Sequence, residues 1–63
     1  MEEIKLSVHL FDMPKFISLR DDNEYLETYT EEVNGQWFVE EKAVKEIERI
    51  LTKNNIRHTF KWN

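Results

Sequence analysis

Residues 34–41, Asn34-Gly35-Gln36-Trp37-Phe38-Val39-Glu40-Glu41, decide how this chain folds. Asn34 and Gly35 both tolerate positive φ, which a tight two-residue hairpin turn requires. Trp37 and Phe38 follow side by side. Adjacent side chains of a strand point to opposite faces, so one of these aromatics enters the core and the other does not. Glu40 and Glu41 then lead into a helical pattern. A turn, a strand and a helix start thus share eight residues.

Working back from the turn, residues 24–33 are rich in Tyr and Thr, which favour strands. A hairpin of 24–33 with 36–39 is predicted. With a two-residue turn, Val33 pairs with Gln36 and Glu32 with Trp37. Trp37 and Val39 then share a face with Leu26, Thr28 and Thr30, and Phe38 joins Tyr25, Glu27, Tyr29, Glu31 and Glu40. With Glu32 beside the turn the first set carries one charge, and the second carries three (Glu27, Glu31, Glu40), so Trp37 is the core residue, because an unpaired buried carboxylate is too costly. A three-residue turn with a bulge at Gly35 would slip the pairing by one and exchange Trp37 with Phe38.

Working forward, Ala43, Val44, Ile47, Ile50 and Leu51 fall at helical spacing, predicting a helix over 40–53. Glu40 and Glu41 suit its positive end, and Arg49 and Lys53 suit its negative end. Asn54-Asn55 reads as a left-handed C-cap. Residues 56–62 alternate as a strand, with Ile56, His58, Phe60 and Trp62 on one side. At the other end, Ile4, Leu6, Val8 and Leu10 alternate with Lys5, Ser7 and His9, giving a half-buried strand over 3–11. Asp12-Met13-Pro14 breaks it. Residues 15–19 form a short second strand, the weakest of the set, and 20–23 a turn. The expected fold is α+β: a small antiparallel-rich sheet in the order β-β-β-β-α-β, with one amphipathic helix on one face and the other face open.

The chain has 63 residues and no cysteine, so residues 1–63 make a single domain without disulfides or a thiolate zinc site. A chain this short buries only about 60% of its unfolded surface, so tightly packed aromatics or oligomerisation must hold it. It opens without a charged-then-apolar leader, and no apolar run approaches the ~20 residues of a membrane span. A cytoplasmic protein, complete from Met1, is expected.

Charge is unevenly placed. Residues 21–41 hold eight acids (Asp21, Asp22, Glu24, Glu27, Glu31, Glu32, Glu40, Glu41) and no Lys or Arg, whereas 42–63 carry a formal +4 and the whole chain −4. An acidic middle repels phosphates and attracts basic surfaces.

Motifs of catalysis are scarce. Gly35 is the only glycine, so a glycine-rich phosphate loop is excluded. Ser7 and Ser18 stand in no nucleophile elbow. His9 and His58 fall on strands with opposite parity and are not expected to converge on a metal. Glu27 and Glu31 suit acid–base chemistry, but a fold this small leaves little room for a desolvated cleft. No catalytic residue, metal or cofactor is expected, and the protein is read as a non-enzyme.

The functional expectation is a small regulatory or inhibitory protein-binding module. Its acidic-aromatic hairpin face (Tyr25, Glu27, Tyr29, Glu31, Phe38, Glu40) would dock a basic partner surface, for example the nucleic-acid site of another protein, with carboxylates in the place of phosphates. Phages and mobile elements make compact acidic proteins of this kind, which is an analogy only. One alternative is a homodimer through the same face, opposed by facing rows of Glu unless Lys or Arg intervene. Another is weak single-stranded nucleic-acid binding through Arg57, Lys61 and Trp62, although Phe60 and Trp62 share the Ile56 face and are better used in a core. The terminal strand, ending Trp62-Asn63, would be a sheet edge able to recruit another strand.

Overall fold

The computed structural model describes residues 3–62; Met1, Glu2 and Asn63 lie outside it. In chain order it has β1 (Glu3–Val8), a 3₁₀ turn (Leu10–Asp12), α1 (Met13–Asp22), α2 (Glu24–Tyr29), β2 (Thr30–Val33), β3 (Gln36–Glu40), a second 3₁₀ turn (Glu41–Ala43), α3 (Val44–Lys53) and β4 (His58–Lys61). The four strands form one sheet in the order β2-β3-β1-β4, every neighbouring pair antiparallel. The α+β class and the antiparallel sheet are therefore as the sequence predicts. β3 lies between β1 and β2, and β1 lies between β3 and β4, which is the double split βαβ connectivity of ferredoxin-like folds.

Residues 13–29 depart from the sequence reading. The expected strand over 15–19 is helix α1, and residues 24–29 of the expected hairpin strand are helix α2. Asp12-Met13-Pro14 starts a helix rather than ending a strand. Pro14 sits in the first turn, where its missing N–H is not needed and its fixed φ is already helical. α2 is set by Asn23, whose Oδ1 accepts the Leu26 N–H at 3.0 Å, and by Glu24 and Glu27 at the positive end of the helix. The N-cap satisfies an otherwise orphaned donor, and this outweighs the modest strand preference of Tyr and Thr.

The hairpin itself forms as a two-residue turn. Asn34 and Gly35 have φ of 54° and 81°, and Val33 pairs with Gln36 and Glu32 with Trp37. Trp37 is accordingly buried and Phe38 turns to the other face, half-buried.

All three helices cover the same side of the sheet. Ile4 and Leu6 of β1 and Trp37 and Val39 of β3 pack with Phe16 of α1, Leu26 of α2 and Val44, Ile47, Ile50 and Leu51 of α3. Phe16 meets the Trp37 ring edge-on, with centroids 5.0 Å apart and planes at 86°. Arg20, one turn further along α1, lies over the Trp37 ring at 5.1 Å. Its Nε donates to Thr30 Oγ1 at 2.7 Å and its Nη2 to the Thr30 carbonyl at 3.2 Å. The Thr30 hydroxyl in turn donates to the Leu26 carbonyl. Thr30 is the buried polar residue of the core, and this network leaves it fully partnered.

α3 ends as predicted at Asn54-Asn55. Asn55 has φ 58°, its N–H donates to the Thr52 carbonyl, and the Ile56 N–H donates to the Leu51 carbonyl at 2.9 Å. This is a Schellman motif, and it places Ile56 in the core beside Leu51. The strand expected over 56–62 is thereby shortened to His58–Lys61. Phe60 packs against the core, but Trp62 does not: it is 54% exposed. It lies past the end of the strand, where strand parity no longer directs its ring.

Candidate functional site

The six residues of the expected acidic-aromatic face are not gathered on one surface. Glu31 and Phe38 are directly opposed across β2 and β3 on the open face of the sheet, and Glu40 lies on the same face beyond Phe38, opposite Glu3. Tyr25, Glu27 and Tyr29 belong to α2, on the helical side. Tyr25 and Tyr29 are one helical turn apart, with ring centroids 4.6 Å apart, and both are half-buried against the core. Lys42 Nζ lies 5.4 Å from the Tyr29 ring and 4.0 Å from Glu40 Oε1, so Tyr29 and Glu40 meet the same ammonium group at the rim of the sheet. Glu27 is exposed. Strand parity assigned these residues to one face only while residues 24–29 were extended.

The open face is also less acidic than a hairpin alone would make it. Lys5 of β1 lies opposite both Phe38 of β3 and Lys61 of β4. Glu31, Phe38, Lys5 and Lys61 thus form one row across the sheet.

The exposed apolar surface lies elsewhere. Leu10 is 79% and Phe11 81% exposed. Beside them an open groove is bordered by Leu10, Met13, Pro14, Ile17, Ser18 and, at its far end, Asp21. Among the exposed large apolar side chains of the described residues, which include Ile17, Val33 and Trp62, these two are the most exposed. The sequence carried one signal of this exposure. Strict alternation fails at Leu10-Phe11, two apolar residues in succession before Asp12-Met13-Pro14, so at least one had to point away from the core.

This tip is held in place. His9 Nδ1 accepts the Phe11 N–H at 3.2 Å, and the His9 and Phe11 rings lie 5.5 Å apart. The Asp12 N–H donates to the His9 carbonyl, and the His9 N–H to the Arg57 carbonyl, both at 2.9 Å. Asp12 accepts from Arg57 three times, from its backbone N–H and Nε at 2.9 Å and from Nη2 at 3.2 Å. The side-chain hydrogen bond from the Arg57 guanidinium, then that from its backbone N–H, hold the Asp12 carboxyl well below the usual carboxylate range. Arg57 thus clamps the tip.

Asp21 and Asp22 close α1. The carboxyl end of a helix is its negative pole, so two carboxylates there disfavour the helix. Glu24 and Glu27 follow on α2 and Glu31 and Glu32 on β2. Among the described residues, ion pairs engage Asp12, Glu40 and Glu46 but none of these six.

His9 and His58 border one shallow depression with Ser7, Val8, Arg57 and Thr59, closer than parity suggested. His58 Nδ1 lies 2.7 Å from the Ile56 carbonyl and its ring is edge-on to Phe60. Both rings therefore have structural tasks, and among the described residues no group of three or more His, Asp or Glu is placed to hold a metal. No helix of the described residues is long and apolar enough to cross a membrane. No protein-family model, curated protein or solved structure matches this chain.

Proposed function

We propose that this protein is a binding module rather than a catalyst, and that it docks a partner protein through the Leu10–Phe11 tip and the adjoining groove of α1. The observation that carries the reading is the near-complete exposure of Leu10 and Phe11 on a turn that Asp12 and Arg57 hold rigid. Fixing apolar side chains in their bound arrangement lowers the ordering cost of association. The partner segment is apolar where it meets Leu10, Phe11 and Ile17, and basic where it reaches Asp21, Asp22 and Glu24. An amphipathic helix with Lys or Arg at one end has this chemistry. A basic partner remains the expectation, with the contact surface moved from the hairpin to α1. Occluding such a segment would make the protein a regulator or inhibitor of whatever carries it.

The test is a titration of the isotope-labelled protein with a Leu/Lys amphipathic helical peptide, alongside a Leu/Glu peptide of the same length. Amide shifts over residues 10–22 with the basic peptide, absent with the acidic one and lost in Phe11→Ser, are expected. Shifts confined to Glu31, Phe38 and Glu40 would return the site to the hairpin and refute this placement.

A further inference from the structure

The sheet face turned away from the helices fits a second copy of itself. Its central row reads Glu31 on β2, Phe38 on β3, Lys5 on β1 and Lys61 on β4. One margin of the row is acidic, the other basic, and an aromatic ring and a lysine share the middle. The adjoining row holds Val33 and Gln36 on one half and Ser7 and Thr59 on the other, without charge.

We infer that this face is the interface of a homodimer whose two-fold axis runs parallel to the strands, over the boundary between β3 and β1. That rotation lays β2 of one copy over β4 of the other and β3 over β1, at unchanged height along the strands. Glu31 then faces Lys61 of the second copy, and Phe38 faces its Lys5, each contact occurring twice, as an isologous interface requires. A lysine over an aromatic ring is attractive, so both kinds of contact favour the pairing. The uncharged row brings Val33 to Thr59 and Gln36 to Ser7. The third row is unfavourable, because Glu40 meets Glu3 of the second copy. Lys42, 4.0 Å from Glu40 Oε1, reduces that repulsion. The lysines of β1 and β4 thus supply what a face of glutamates alone would lack.

The footprint is small. Four strands about 4.8 Å apart carry only three residue rows, so the area falls at the low end of specific interfaces, roughly under 1,200 Å². The dimer is accordingly weak, concentration-dependent and salt-sensitive. It does not rest on the binding role of α1. The helices lie on the opposite side of the sheet, so a dimer displays two α1 grooves outward.

Sedimentation velocity of the intact protein at low salt, from micromolar to about 1 mM, tests the inference. The wild type is expected to dimerise reversibly and to dissociate as salt is added. Glu31→Lys and Lys61→Glu are each expected to be monomeric, since like charges then face each other twice. An equimolar mixture of the two variants restores both pairs and is expected to dimerise as the wild type does. Glu3→Lys places a base against Glu40 and is expected to tighten the dimer at least several-fold, an outcome that loss of folding could not produce. A wild type that stays monomeric throughout, or a dimer indifferent to these charge exchanges, would overturn it.

Discussion

Replacing Phe16 tests whether α1 holds the fold as described. Phe16 is 0% exposed, edge-on to Trp37, and Arg20 from the next turn lies over the same indole. Truncating a buried Phe to Ala removes its transfer free energy and leaves a cavity, together about 3–5 kcal/mol; that figure already includes the lost aromatic pairing. A domain of 63 residues has a total stability of roughly 3–9 kcal/mol. Phe16→Ala therefore leaves the protein marginal or unfolded. Phe16→Leu keeps most of the volume and is expected to cost about 1–2 kcal/mol, lowering the urea midpoint by roughly 1–2 M, since a small domain has a slope near 1 kcal/mol/M. Ile17, the next residue, is 38% exposed, and Ile17→Ala is expected to change stability by less than about 1 kcal/mol. The assay is urea unfolding followed by Trp37 fluorescence in a Trp62→Phe background, which removes the exposed indole. The reasoning is refuted if Phe16→Ala unfolds at the wild-type midpoint, or if Ile17→Ala costs as much as Phe16→Leu.

Asn23→Ala removes the side-chain acceptor of the Leu26 N–H and is expected to cost about 1 kcal/mol. A six-residue helix cannot persist alone, so amide exchange at Leu26 and Glu27 should accelerate more than exchange in β1. If residues 24–29 were a strand, the two regions would be affected alike. The Asp12–Arg57 clamp predicts a pH dependence. The Asp12 carboxyl is held below its ordinary 3.8 in the folded state, so its contribution to stability is complete above that value and is lost as pH falls through the lower folded-state pKa. Urea midpoints measured from about pH 5 down to about pH 2 should therefore fall more steeply for the wild type than for Asp12→Asn, whose profile lacks this component. Equal profiles would show that the clamp carries no net stability.

Periodicity revealed the parts of this chain that have only one interpretation. β1, the Asn34-Gly35 turn, α3 and its cap follow directly from alternation, from helical spacing and from the two residues that accept positive φ, whereas Trp37 inside and Phe38 outside needed the charge count as well, because a three-residue turn would exchange them. Residues 13–29 do not follow in this way, because their core contribution is sparse. α1 buries only Phe16 fully and α2 only Leu26, so neither shows a continuous apolar stripe. Their helical signals are at the ends: Pro14 in a first turn, and Asn23 followed by Glu24 and Glu27. Tyr25 and Tyr29, four residues apart, fit one helix face as well as one strand face. Choosing the strand carried three of the six expected site residues onto the wrong element. It also concealed the tip, since Leu10 and Phe11 are exposed only because the chain leaves the sheet after Val8 to begin α1.

Three helices on one side of a four-stranded sheet leave the far sheet face and the outer side of α1 open, and the two proposed partners differ in the chemistry they would meet there. The sheet face has Phe38 and Val33 as its apolar side chains, and Phe38 is already half-buried between Glu31 and Lys5. Its attraction is mainly electrostatic and is screened over about 8 Å at physiological salt. The tip presents Leu10 and Phe11 almost wholly to water. Burying both side chains releases roughly 3–6 kcal/mol before association costs are met, and apolar burial is not weakened by salt. Salt should therefore separate the two events. Raising it from about 0.05 M to about 0.5 M, a several-fold shortening of the screening length, is expected to dissociate the copies while the apolar part of partner binding at the tip persists. Measured together on one sample, the opposite pattern, a dimer that survives salt and a tip complex that does not, would mean that the roles of the two surfaces are exchanged.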